Sequence, residues 1–318
     1  MTVFYTEGGH KLGLGNIFRS LSLAKALRDR GCDEIRFVTS SEPYACSFIT
    51  DAGFEAVITR DPLSAILDLK PHRLIIDFLG IGKDFVSRAS RGGQTRIIII
   101  GNDSEANHEA DLVVNAIIGT GFINRCFRDS YETLNLWGPR YLVLREEFEE
   151  LRDTYRLKDS IRNVVLLFGG SDQADFSSKV LNSFSGTDYA VTLILGAGYR
   201  DDESLKKVLS DYKGKVKVYR NVGNVSDFYK KADFLFTSPG TALFEGLCMG
   251  IPAISFFQNQ SQIDVFGPFM TTCVYSRTTD PVAMMLDVYS HYGDFRSNLE
   301  SFAVGMGRNE IIDNILAL

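Results

Sequence analysis

One stretch limits the choice of fold more than any other: Phe234-Leu-Phe-Thr-Ser-Pro-Gly-Thr-Ala-Leu-Phe-Glu-Gly-Leu-Cys-Met-Gly-Ile-Pro252. Phe234, Leu235 and Phe236 form a short apolar run of the buried-strand kind. Ser238-Pro239-Gly240 is turn chemistry, since Pro fixes φ and Gly permits a close backbone approach. Thr241 is then placed to cap a helix carrying Leu243, Phe244, Leu247 and Cys248 on one face. Gly250 closes that helix, and Pro252 stops it from continuing. Strand, tight turn, helix and strand in this order build an open parallel sheet. A helix N-terminus after a Gly turn offers free N–H groups to an anion. Glu245 sits one turn in, at helix spacing from Thr241, where a carboxylate can accept from two vicinal hydroxyls, as on a ribose. Diphosphate at the turn and ribose on the acid describe a nucleotide-diphosphate site. The same spacing also fits a buried helix whose acid merely complements the dipole.

The N-terminus repeats the pattern. Met1–Thr6 reads as a strand. The loop Glu7-Gly-Gly-His-Lys-Leu-Gly-Leu-Gly15 follows, then an amphipathic helix from Ile17 to about Arg30 with Asn16 as N-cap, then a strand over Ile35–Thr39. Gly13-Leu-Gly15 fails the dinucleotide fingerprint, because Phe18 stands at the third glycine position and no acid ends the second strand. The Walker A pattern is also absent, so no nicotinamide or other cofactor is expected. What remains is a Gly loop feeding a helix, with Arg19 one turn in, able to hold a sugar or a phosphate edge. Arg73–Asp77 reads as a buried strand ending in an acid on the rim where ligands gather. Thr95–Ile100 is another, leading into a loop with Asp103 and His108. Leu112–Asn115 reads as the last strand of this half. A charge-rich segment, Glu146–Lys158, marks a boundary between residues 1–145 and 146–318. The second half restarts with the strand Asn163–Phe168 and the turn Gly169-Gly170-Ser171-Asp172, whose N–H groups can approach a diphosphate.

A chain of 318 residues accommodates two cores more readily than one. The net charge of −6 argues against a nucleic-acid or anionic-membrane partner. Cys32, Cys46, Cys126, Cys248 and Cys273 are scattered without metal-ligand spacing. They read as reduced thiols in a cytoplasm, with no metal expected. The N-terminus lacks the pattern of a signal peptide, and the longest aliphatic run, Ile97–Ile100, is too short to span a bilayer. A cytoplasmic location and no transmembrane segment are expected.

Four segments carry a family resemblance: Gly13–Ala24, Trp137–Phe148, Phe168–Asp172 and Phe236–Pro252 with Asn259-Gln260. Together they resemble GT-B glycosyltransferases, and in particular the nucleotide-sugar hydrolase of pseudaminic acid biosynthesis and its spore-coat-polysaccharide relatives. The resemblance implies an α/β fold with two Rossmann-like domains facing across a cleft and a terminal helix crossing back to the first. It also implies a donor nucleotide, UDP by analogy, on the second domain, at Gly169, Gly170, Ser171, Ser238, Gly240, Thr241, Glu245, Asn259 and Gln260. The sugar or acceptor then meets Gly13, Gly15, Asn16, Arg19 and the Asp77 and Asp103 loops. Asn16 stands where the family pattern G-x-G-H-x-x-R-x-x-x-L-A has the histidine thought to activate water. An Asn cannot act as a general base, but it can donate a hydrogen bond to a sugar or a developing oxyanion. Asp77-Phe78-Leu79-Gly80 stands where the family resembles Asp-His-Tyr-Gly. Asp103, His108 and Asp111 line up with the family's acids and histidine. Asp103 and His108 are thus candidates for a replacement base, with His10 as the competitor. Three activities stay open. The leading one is metal-independent glycosyl transfer from a nucleotide-sugar to a glycan or small-molecule acceptor in surface-polysaccharide synthesis. The others are nucleotide-sugar hydrolysis with a substitute base, and nucleotide-sugar binding as a catalytically silent partner subunit.

Overall fold

The computed structural model describes residues 1–9, 14–117, 119–196, 198–200, 202–273 and 280–318. The chain divides into two compact units, Met1–Arg145 with Phe302–Leu318, and Glu146–Ser301.

The first unit is built on eight strands: β1 (Thr2–Thr6), β2 (Ile35–Thr39), β3 (Glu55–Ile58), β4 (Arg73–Asp77), β5 (Arg96–Ile100), β6 (Leu112–Asn115), β7 (Arg125–Arg128) and β8 (Leu134–Trp137). Their order is β3-β2-β1-β4-β5-β6-β8-β7, parallel throughout except for the β7–β8 pair. Continuous apolar runs suit a sheet covered on both faces. Successive residues go to opposite sides: Ile98 and Ile100 join one core, Ile97 and Ile99 the other. The first core is covered by the helix Gly15–Asp29, through Ile17, Leu21, Leu23 and Leu27, and by the helix Arg308–Ala317, through Ile311, Ile312 and Ile315. Glu310 in that last helix accepts from Tyr141 Oη at 3.0 Å. Residues 302–318 therefore pack on the first unit, and the second unit ends at Ser301. The opposite core is covered by Pro62–Leu69 and Lys83–Ala89.

Two strands follow Leu112–Asn115, where the sequence pattern predicts the last strand of this half. Arg125-Cys-Phe-Arg128 lacks an apolar run because it is an exposed edge strand. Its turn into β8 is closed by Asp129, whose Oδ1 accepts from the N–H groups of Tyr131 and Thr133 at 2.9 and 3.1 Å. Cys126 is exposed on this edge, whereas Cys46 and Cys248 are buried thiols.

The second unit has five parallel strands, β9 (Asn163–Leu167), β10 (Ala190–Leu195), β11 (Lys215–Arg220), β12 (Phe234–Thr237) and β13 (Ala253–Ser255), in the order β11-β10-β9-β12-β13. Both sheets reverse their winding once: between β1 and β4 in the first, between β9 and β12 in the second. Ligands of open α/β sheets bind outside the carboxyl ends of the strands at such a point.

The helix Thr241–Met249 buries every residue from Leu243 to Met249, so it lies inside the unit and does not present a single apolar face. Gly240, not Thr241, occupies its N-cap position, without a side-chain cap bond. Gly246 lets the helix touch the sheet. A Cβ there would stand 2.2 Å from Leu235 Cδ1. Gly246→Ala is expected to cost about 1–3 kcal/mol through overpacking, read by urea unfolding.

Candidate functional site

At the reversal of the second sheet, β9 and β12 lie side by side, with Leu167 paired to Thr237. Their carboxyl ends run into the turns Gly169-Gly170-Ser171 and Ser238-Pro239-Gly240. Gly169 has φ +75°, a conformation that favours glycine. The turn after β10 packs directly on this backbone: Gly198 N donates to Gly170 O at 2.9 Å, and a Cβ on Gly196 would lie 2.5 Å from Gly169 O. The outer side of the turn is open. Gly169, Gly170 and Ser171 are exposed, and a Cβ on Gly170 or Gly240 would meet nothing within 4 Å.

Asp172 ends the first turn with its carboxylate turned inward. It accepts the N–H groups of Phe176 and Ser177 at 2.9 and 2.7 Å, at the start of the helix Phe176–Ser183. Gln258 joins the two turns. Its Nε2 donates to Ser238 Oγ at 2.8 Å, Asp172 Oδ1 at 3.1 Å and Phe168 O at 3.3 Å, while its Oε1 accepts from Ala174 N at 2.8 Å. Gln262 supports it from the next helical turn, accepting from Gln258 N at 2.7 Å and donating to Pro239 O at 3.2 Å. Asn259 and Gln260, singled out by the sequence, make other contacts. Asn259 Oδ1 accepts from Gln262 N at the head of the helix Gln260–Cys273, and Gln260 donates to Asp264. Glu245 is 1 % exposed and Thr241 is exposed. Beside the first turn, the Tyr199 phenol is pushed up to about 12 by burial and by Asp175, Asp172 and Asp202.

In the first unit, His10 and Gly13 lie outside the described residues. Gly15 and Asn16 are the first two residues of the helix Gly15–Asp29, so Asn16 does not cap it. The Asn16 amide is engaged at both ends, with Nδ2 donating to Glu7 O at 3.3 Å and Oδ1 accepting from Arg19 Nη2 at 2.9 Å. Arg19 forks onto Asp77, with Nε to Oδ2 at 2.9 Å and Nη2 to Oδ1. Ser20 Oγ adds a bond to Asp77 at 3.1 Å. Asp77 is fully buried, and the Arg19 side chain is 24 % exposed. Burial raises the Asp77 carboxyl, and the Arg19 guanidinium opposes it. Burial would lower Arg19, but the charge and hydrogen bonds of Asp77 outweigh that and raise it. Each charge is therefore committed to the other at the carboxyl end of β4. Neither is left as a free anion site or a ready base.

Glu7, which the sequence reading passed over, is buried at the end of β1. Its carboxylate accepts from Ser40 N at 3.0 Å, Ser40 Oγ at 2.7 Å and Ser41 Oγ at 3.3 Å. Asp103 and His108 are both exposed in the loop after β5, and no hydrogen bond joins them among the described residues. His108 stacks on Tyr131, ring centroids 4.1 Å apart. Asp111 lies at the opposite end of the sheet, bonded to Arg96 and to Ile97 N at 2.8 Å each. Buried Asn102 organises the loop, donating to Ser104 Oγ and Asn107 Oδ1 and accepting from Gly80 N.

No family model matches the chain. It is 31 % identical over 322 residues to an uncharacterized protein of Methanocaldococcus jannaschii, covering 98 % of this chain and 65 % of that protein's length. It is 24 % identical over 269 residues to the spore coat polysaccharide biosynthesis protein SpsG of Bacillus subtilis, covering 81 % of this chain and 77 % of SpsG. Among solved structures, the glycosyltransferase SnogD from Streptomyces nogalater superposes with a TM-score of 0.64 at 12 % identity, over 99 % of this chain and 98 % of that one. The UDP-GlcNAc 2-epimerase of Neisseria meningitidis, solved with UDP-GlcNAc, gives 0.62 at 9 % identity over 100 % of both chains. The chain has the GT-B fold.

In this GT-B chain each sheet reversal carries its own polar cluster, and their chemistry differs. The second-unit cluster leaves the Gly169-Gly170-Ser171 turn exposed. The first-unit cluster is closed on itself through Arg19 and Asp77. Gln258 and Gln262, absent from the sequence candidates, are the groups that tie the two turns together. Their one sequence signal is their spacing of four across a helix start. No helix among the described residues is long and apolar enough to cross a membrane.

Proposed function

We propose that the chain binds a nucleotide-sugar at the β9–β12 reversal and transfers its glycosyl group to a glycan or small-molecule acceptor. The observation that carries this reading is the exposed turn Gly169-Gly170-Ser171 clamped by Gln258 beside the turn Ser238-Pro239-Gly240, with room for a Cβ at both Gly170 and Gly240. Their backbone N–H groups, with the start of the Thr241–Met249 helix, can hold a diphosphate and stabilise it as it leaves, without requiring a metal. The name of SpsG supports surface-polysaccharide synthesis as the setting, and the epimerase solved with UDP-GlcNAc supports UDP as the nucleotide. Transfer is favoured over hydrolysis because the Asn16 amide cannot take a proton from water and Asp77 is tied to Arg19. A fold shared with an epimerase does not by itself choose the reaction.

Glu245 is 1 % exposed, and one variant measures whether it takes part in holding a ribose. In a thermal-shift panel of UDP, GDP, CDP, CMP and NAD, one nucleoside diphosphate at about a hundred times its Kd is expected to add about 2.7 kcal/mol. Glu245→Ala is expected to weaken that shift. A flat panel would leave both turns as scaffold. Product analysis with the matching nucleotide-sugar then separates reactions, since release of free sugar with water as the sole acceptor would overturn transfer.

A further inference from the structure

We propose that Gln258 is a positioning residue that sets the direction of the Ser238 hydroxyl, so that Ser238 donates its proton to a diphosphate oxygen lying over the two glycine turns. The inference rests on the donor-site reading above and gives that site a named side-chain donor.

The argument is one of hydrogen-bond polarity. A Gln side chain can present its amide either way round, and its partners decide which. Ala174 N–H can only donate, so the Gln258 oxygen faces it, at 2.8 Å. Phe168 O can only accept, and the Asp172 carboxylate takes two backbone N–H bonds besides. The Gln258 nitrogen faces both. That same nitrogen lies 2.8 Å from Ser238 Oγ. An amide nitrogen donates and does not accept; its two protons serve three acceptors, so one proton is shared, and Ser238 Oγ, the shortest of the three contacts, is an acceptor. A hydroxyl has one proton and two lone pairs. With a lone pair occupied by Gln258, the Ser238 proton must go elsewhere. Among the described residues no acceptor takes it, although Ser238 is only 5 % exposed. This enclosed, uncompleted donor belongs to the turn whose Gly240, like Gly170 in the neighbouring turn, would leave a Cβ with nothing within 4 Å. An anionic oxygen over these turns supplies the missing acceptor.

Removing the Gln258 amide reverses the arrangement. Phe168 O and Asp172 Oδ1 lose their donor, and the Ser238 proton turns inward to them. The test measures binding of UDP and of uridine, or of the diphosphate and nucleoside pair that the panel selects, to wild type, Gln258→Met, Ser238→Ala and the double variant. Each single variant is expected to weaken UDP about 20-fold, the scale of one hydrogen bond to a charged group. Uridine binding is expected to stay within about twofold. The double variant is expected to lose about 20-fold, not the roughly 400-fold of independent effects. If Gln258→Met does not fold, Gln258→Glu gives the same UDP-selective loss, because its carboxylate draws the Ser238 proton inward. Multiplying losses, equal losses on uridine, or unchanged UDP affinity would each overturn the positioning role. A wild type that binds no nucleoside diphosphate overturns the donor-site reading itself, a result distinct from those three.

Discussion

Replacing Arg19 by Met is expected to destabilise the first unit by about 3–5 kcal/mol at neutral pH, the cost of leaving a buried charge without its partner. Asp77 has no exposure to water, and once the guanidinium is gone only the Ser20 hydroxyl, among the described residues, still bonds it. Exposed ion pairs contribute under about 1 kcal/mol, so the size of the loss reports the burial of the acid. The sign with pH follows from the direction of the shift. Burial already raises the Asp77 carboxyl, and Arg19 is the charge that opposes this shift, so its removal leaves the rise from burial in force. A carboxyl raised in the folded state binds more protons there than in the unfolded chain. Stability of the variant therefore falls as pH rises above the ordinary carboxylate range and recovers in acid. Urea unfolding of wild type and Arg19→Met across that range checks both magnitude and sign. Arg19→Met/Asp77→Leu, which removes both charges, is expected to regain most of the loss. A deficit below about 1 kcal/mol, flat with pH, would mean that Asp77 is not held as an isolated buried acid. The outcome bears on function, because a pair this costly to break is scaffold and leaves acceptor chemistry to other groups.

The same pair shows where the sequence was legible and where it was not. The strand Arg73–Asp77 with its terminal acid was legible, since four apolar or amphipathic residues and an acid are local facts. That the acid is closed by Arg19 depends on β1 and β4 lying side by side, with Thr6 opposite Asp77, which no local pattern encodes. The Gly169 and Gly240 turns were legible for the same local reason, as glycines at the end of apolar runs. Gln258 was not. Its neighbours Asn259 and Gln260 carried the resemblance, but the start of the Gln260–Cys273 helix turns these two outward and brings Gln258 and Gln262 onto the turns. A helix rotates successive side chains by about 100°, so a shift of one residue moves the contact to another face. β7 was missed because an exposed edge strand has no core to write an apolar run.

Gly170→Val is expected to lose at least about 100-fold in affinity for the nucleoside diphosphate, about 2.7 kcal/mol, while folding stability stays within about 1 kcal/mol of wild type. The two effects separate because the position is open on one side only. Gly170 does not have a positive φ, so a side chain is not strained there, and its Cβ would meet no atom within 4 Å. Packing in the unliganded protein therefore does not demand glycine at this position. A diphosphate lying on the turn does, because its oxygens must come within hydrogen-bond distance of backbone N–H groups that a Val side chain would cover. Gly196→Ala supplies the opposite signature. Its Cβ would stand 2.5 Å from Gly169 O and 2.6 Å from Gly170 Cα, so it pushes the turn itself out of place, and stability and binding fall together. Thermal melts and titrations on both variants distinguish a glycine kept for its ligand from a glycine kept for its neighbours. A Gly170→Val protein that binds the diphosphate as tightly as wild type would move the phosphates away from this turn and remove the main support for a donor site at the β9–β12 reversal.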